Sequence, residues 1–82
     1  MDLIATFPSS QAALLAEQTL KGAGIEVELI PVPRQIRSDC GFCLLAGEDA
    51  APALRSCGAR DLWRVAESRH ASRKVKNYER YP

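Results

Sequence analysis

Two strands and the loop that joins them are contained in one stretch of the chain, IEVELIPVPRQIRSDCGFCLLAG at residues 25–47. Its first six residues alternate apolar and acidic side chains, which is typical of a half-buried strand. Pro31 and Pro33 end that strand, because proline fixes the backbone and removes a donor. Residues 42–46 are continuously apolar, which suits a strand in the middle of a sheet. The stretch therefore predicts two strands connected by a stiff loop.

The elements on either side of this stretch complete a recognisable order. They are a strand over 3–7, a helix over about 11–21, a short helix over about 50–56 and a strand over 62–66. Ser9 or Ser10 can cap the first helix by accepting a backbone hydrogen bond. The order β-α-β-β-α-β predicts a ferredoxin-like α+β fold, a two-layer sandwich of a four-stranded antiparallel sheet with both helices on one face.

The length of 82 residues predicts one domain, which we place at residues 1–68. Charge is uneven along the chain. Residues 67–82 hold five Lys/Arg and two Glu, whereas the rest holds six Lys/Arg and eight Asp/Glu. Residues 69–82 are therefore expected to form a basic, disordered or solvated tail. A contact between that tail and RNA, or another acidic surface, is the alternative.

The sequence favours a cytoplasmic protein. No apolar run approaches the ~20 residues that span a bilayer. The N-terminus, MDLIATF, has no basic segment of the kind that begins a signal peptide. The chain has three cysteines, an odd number, and structural disulfides are rare in the cytosol. Each cysteine is then a buried apolar residue, a metal ligand or a reactive thiol.

Topology predicts where Cys40 lies. In a β-α-β crossover the first helix begins at the edge of the sheet where the second strand ends, and the third strand begins there too. Cys40 should therefore sit beside the start of the first helix. That helix end carries partial positive charge and unpaired N–H groups, which stabilise a thiolate. The prediction is a reactive Cys40 thiol on an exposed loop, with the amides of Ser9 and Ser10 close to it.

Other residues of the loop modify this expected site. Arg34 and Arg37 add positive charge, whereas Asp39 opposes them. Gly41 allows another backbone or a ligand to approach closely. No Ser/His/Asp set accompanies Cys40, which argues against a hydrolase.

The loop also resembles a known family. PVPRQIRSDCG, at residues 31–41, is similar to the signature of small bacterial selenium/sulfur carrier-like proteins. The matching residues are Pro31, Pro33, Arg34, Ile36, Ser38, Cys40 and Gly41. The helix and second strand at residues 16–30 also look like the family, and the resemblance covers about residues 3–66. Asp39 and Cys43 depart from the family's pattern, and the tail after Ser68 has no counterpart in it.

The resemblance implies a carrier rather than a true catalyst. Cys40 would hold sulfur or selenium as a persulfide or selenopersulfide, between a donor such as a cysteine desulfurase and an acceptor protein. Arg34, Arg37 and the loop would meet the partner, and no tightly bound cofactor is needed. Two alternatives stay open. One is a non-catalytic module that binds a partner, a metabolite or RNA. The other is a dithiol redox protein that uses Cys40 and Cys43.

Cys43 follows Cys40 in a Cys-x-x-Cys arrangement, which activates the first thiol when it opens a helix. Here a strand follows, and residues three apart on a strand point to opposite faces. Cys43 is therefore expected to be a core residue, with a second reactive thiol as the alternative. Cys57 and His70 do not complete a set of about four ligands, so no metal site is predicted.

Overall fold

A computed structural model describes residues 1–36, 40–70 and 73–81 of the chain. The strands are β1 (Leu3–Thr6), β2 (Val27–Pro31), β3 (Phe42–Ala46), β4 (Asp61–His70) and β5 (Arg73–Arg80). The helices are α1 (Ser10–Gly22) and α2 (Ala51–Ser56), and a 3₁₀ turn at Glu48–Ala50 leads directly into α2. No helix in this described part of the chain is long and apolar enough to cross a membrane.

The strands form one antiparallel sheet in the order β2-β3-β1-β4-β5. The predicted ferredoxin-like sheet of four strands is wrong in its strand number, because β5 adds a fifth strand beside β4. β4 also continues to His70, beyond the predicted end at Ala66. The fold is therefore α+β, with a five-stranded antiparallel sheet and two helices.

The fifth strand comes from residues that were expected to form a tail. β5 covers 73–80 and pairs with β4 from Trp63↔Arg80 to His70↔Arg73. Basic and polar side chains suggested solvation, but a strand at the edge of a sheet tolerates charges and often carries lysine. Cross-strand pairing with β4 thus decides the structure of this segment, and local composition does not.

Both helices pack on one face of the sheet. The largest core cluster combines Leu3 and Ala5 of β1 with Leu44 and Ala46 of β3, and adds the helix residues Ala13, Ala16, Leu20 and Leu54. These positions alternate along each strand, as expected for side chains that share a face. The cluster holds α1 and α2 against the centre of the sheet.

A second cluster covers the opposite face of the sheet, which we call the open face. Ile4, Cys43 and Ile36 are its buried members, and Trp63, Val65 and Tyr78 pack against them. Ile36 belongs to the loop that follows β2, so this loop folds back over the open face. The loop is thereby anchored on the side of the sheet that the helices do not cover.

The start of α1 is fixed by Ser9. Its backbone is extended, and its Oγ accepts a hydrogen bond from the Ala12 N–H at 3.1 Å. Replacing Ser9 by alanine removes this cap, and we expect it to lower the free energy of unfolding by about 1 kcal/mol. Urea unfolding followed by circular dichroism measures the change. Ser9→Asp keeps an acceptor and should retain most of the stability; an equal loss in both variants would contradict the role of the cap.

Candidate functional site

Cys40 lies where the topology predicts, beside the start of α1. Its Sγ is 3.7 Å from the Oγ of Ser10, the first residue of that helix. Cys40 comes two residues before β3, so the end of the loop and the start of the helix meet at one edge of the sheet. The predicted position of the thiol is confirmed.

The expected exposure of Cys40 is wrong. The residue is only 3% exposed and belongs to the core cluster on the helix side of the sheet. Its side chain turns inward under the start of α1, while Gly41 and Phe42 remain at the surface. Loop position alone suggested solvent access, but the packing of the helix onto β3 closes over the sulfur.

The Cys40 sulfur lies within hydrogen-bonding distance of a backbone carbonyl and of a hydroxyl group. Its Sγ donates to the backbone carbonyl of Phe42 at 3.0 Å, and the Ser10 hydroxyl lies on another side of the sulfur. A carbonyl can only accept, so a thiolate would lose the Phe42 contact. The Ser10 hydroxyl can instead turn and donate to a charged sulfur. Ser10 can thus stabilise an anion on Cys40.

From the sequence, Ser10 was expected to contribute its backbone amide, whereas in the structure its hydroxyl also lies against the sulfur, which the sequence did not indicate. The hydroxyl of Ser9 has another role, because it accepts a hydrogen bond from the Ala12 N–H and so caps the helix. The contact between Cys40 and the carbonyl of Phe42 was also missed. No sequence signal marks it, because it depends on how the chain turns at Gly41.

Two of the other predicted binding residues, Arg34 and Gly41, lie at the surface. Arg34 is exposed in a turn where the Ile36 N–H donates to the Pro33 carbonyl at 3.0 Å. Arg37 lies outside the described residues. Gly41 is exposed, and a Cβ added to it would meet nothing within 4 Å. The surface next to Cys40 is therefore open to a partner at Gly41.

Cys43 lies on the open face, away from the side of the sheet that holds Cys40. It is fully buried with Ile4 and Ile36, and its Sγ donates to the Pro31 carbonyl at 3.8 Å. All three cysteines are thiols, and Cys57 is half-buried at the end of α2. The placement of Cys40 and Cys43 in clusters on opposite faces argues against an internal disulfide.

Burial raises the pKa of the Cys43 thiol to about 11, and the neighbouring Cys40 adds to the rise. The fold thus favours the neutral thiol. This stabilisation is fully present below the unfolded pKa of 9.0 and is lost as pH rises toward 11. Between pH 9 and 11 we expect the free energy of unfolding to fall by up to about 2 kcal/mol from this group.

Urea unfolding across that pH range measures this loss. Cys43→Ala should be less stable at neutral pH but should show a flatter pH dependence, because it lacks the thiol. The same slope in both proteins would show that Cys43 does not control stability in this range.

The described residues contain no group of three or more His, Cys, Asp or Glu side chains that could hold a metal ion. A family model described as "Putative Se/S carrier protein-like" matches residues 2–59 of the chain. The protein therefore belongs to this family. Searches of curated proteins and of solved structures found no match.

Proposed function

We propose that this protein is a sulfur or selenium carrier and that Cys40 holds the cargo. The observation that carries the proposal is the 3.7 Å contact between the Cys40 sulfur and the Ser10 hydroxyl at the start of α1. Membership of a Se/S carrier-like family supports the class of cargo. The helix start and Ser10 supply the positive potential and the donor that an anionic sulfur needs.

Loading is a thiol exchange that needs no oxidant. The Cys40 thiolate attacks the terminal sulfur of a donor persulfide, R–S–SH, and forms a new S–S bond. The S–S bond of the donor breaks, and the donor leaves as a thiol after taking up the proton that Cys40 lost. Cys40 is then Cys–S–SH. A donor R–S–SeH gives Cys–S–SeH by the same steps, and an acceptor thiol reverses them.

Burial makes access to Cys40 conditional. The sulfur must be uncovered before a donor can reach it, and local opening of a loop provides this at less cost than global unfolding. Gly41 and Phe42, which follow Cys40, are exposed, and Phe42 keeps 43% of its surface in solvent. A partner that binds this surface therefore contacts the two residues that directly follow Cys40 in the chain. Between encounters, burial shields a persulfide from other thiols.

Loading can be tested with a cysteine desulfurase and cysteine, or with glutathione persulfide. Intact-protein mass spectrometry should show a gain of about 32 mass units for one sulfur atom. Cys40→Ser should gain nothing, and Cys57→Ser, the matched control, should load like the original protein. A gain that persists in Cys40→Ser, or no gain in any of the proteins, would overturn the proposal.

A second candidate is a binding module in which Cys40 is only a core residue. The observation that favours it is a half-open cavity of about 480 Å³ on the open face, between the loop and β5. Its lining includes Ile4, Ile30, Leu45, Val65 and Tyr78. Met1 and Asp2 also line it, and a site of this size that combines apolar walls with polar groups suits a small metabolite. This candidate would be favoured if a ligand stabilised Cys40→Ser as much as the original protein and if the original protein took up no sulfur in the loading test.

A further inference from the structure

The hairpin of β4 and β5 extends beyond the rest of the sheet. β1 pairs only with the first four residues of β4, ending at Arg64. From Ala66↔Asn77 to His70↔Arg73, β4 pairs with β5 alone. We call these five pairs, at residues 66–70 and 73–77, the ribbon. At about 3.3 Å per residue the ribbon is about 17 Å long, and the whole molecule measures 42 × 25 × 20 Å.

The ribbon concentrates positive charge. It contains Arg69, Arg73, Lys74 and Lys76 with a single acidic residue, Glu67, whereas the rest of the chain has more acidic than basic residues. One of its cross-strand pairs, Arg69↔Lys74, joins two positive charges, whereas Glu67↔Lys76 joins opposite charges and His70↔Arg73 joins a histidine to an arginine. Like charges opposite each other destabilise a hairpin. Each ribbon strand has one unpaired edge, and charged side chains protect such an edge from further pairing. Edge protection alone does not explain why four of the ribbon's five Asp, Glu, Lys and Arg residues are positive.

The ribbon is also separate from the carrier site. The family model ends at residue 59, before β4 begins. Cys40 and the start of α1 lie at the end of β1 near Thr6, whose pairing partner is Asp61 at the beginning of β4. The ribbon is formed by the other end of β4. A function of the ribbon is therefore independent of sulfur transfer.

We infer that the ribbon binds nucleic acid through the phosphate backbone. A two-stranded ribbon enters the ~12 Å major groove of B-DNA, where each strand faces one wall of phosphates. Positive charge on both strands of the ribbon matches a groove with phosphates on both walls. An acidic protein surface would match the charge on one side of the ribbon only. Four Lys/Arg can neutralise about four phosphates, and each contact releases counterions. The binding is expected to depend on charge and shape rather than on base sequence.

Fluorescence anisotropy with the full chain tests this inference. The probes are a 20-base-pair DNA duplex, an RNA duplex of equal length and a single strand. Affinity for at least one probe should fall about a hundredfold between 50 and 200 mM salt, as about four phosphate contacts require. Arg69→Gln/Lys74→Gln should roughly halve the slope of log affinity against log salt.

The matched control is Lys21→Gln/Arg55→Gln, which removes the same charge from α1 and α2. It should keep the slope and most of the affinity, and circular dichroism should show both variants folded. Equal losses in the two variants would mean attraction to net charge alone and would overturn the inference. So would the absence of binding to every probe at 50 mM salt, or equally tight binding to polyglutamate.

Discussion

Replacing Leu44 by alanine is expected to lower the free energy of unfolding by about 3 to 5 kcal/mol. Leu44 is fully buried in the middle of β3, where it pairs with Ala5 of β1 and Leu29 of β2. The substitution leaves a cavity between the central strands and the helices. A domain of this length is stable by only about 4 to 12 kcal/mol in total, so the substitution should remove about a quarter or more of that stability.

Urea unfolding at 25 °C, followed by far-UV circular dichroism, measures this loss. Leu15→Ala is the matched control, because Leu15 lies on the outer side of α1 and is 63% exposed. Its effect should stay within about 0.5 kcal/mol. A loss below about 1 kcal/mol for Leu44→Ala would contradict the position of β3 at the centre of the core.

Replacing Ile36 by alanine should expose the Cys40 thiol. Ile36 is buried on the open face and, with Val32, holds the described part of the loop after β2 against the sheet. Without it the loop should open more readily, and alkylation of the buried Cys40 requires opening. We expect the alkylation rate of Cys40 to rise at least about tenfold, which corresponds to about 1.4 kcal/mol in the free energy of opening.

Isotope-coded iodoacetamide and mass spectrometry can follow Cys40 and Cys57 in the same sample, with half-buried Cys57 as the internal reference. Ile25→Ala is the control, because Ile25 packs against the helix-side core, away from the open face. It should not raise the rate at Cys40 relative to Cys57. A similar relative rise in both variants would show that global unfolding, and not the loop, governs access.

Periodicity predicted the elements of the first three-quarters of the chain well. The apolar run of β3 was placed at its observed bounds, and Ser9 caps α1 as one of the two serines expected to do so. β5 could not be predicted this way, because an edge strand is defined by its neighbour. Residues 73–76 are three basic residues and Val75, and they show no local pattern that separates them from a solvated tail.

For the site too, chain order predicted which residues lie together, but it did not predict which of them are buried. Chain order was enough to bring Cys40 to the start of α1, since crossover connections fix which strand ends share an edge. Its burial could not be predicted from the sequence, because it depends on the turn at Gly41 and on how closely α1 packs over β3. The placement of Cys43 on the other face followed from strand alternation, and burial accounts for most of the rise in its pKa.

The most direct test of the carrier proposal is to map the added sulfur within the loaded, unmutated protein. Trypsin cleaves after Arg37 and Arg55, which leaves Cys40 and Cys43 in residues 38–55 and Cys57 in residues 56–60. Fragment ions then separate Cys40 from Cys43. The sulfur is predicted on Cys40, with Cys43 and Cys57 unmodified. Sulfur found on half-buried Cys57 instead, with Cys40 unmodified, would contradict the proposal.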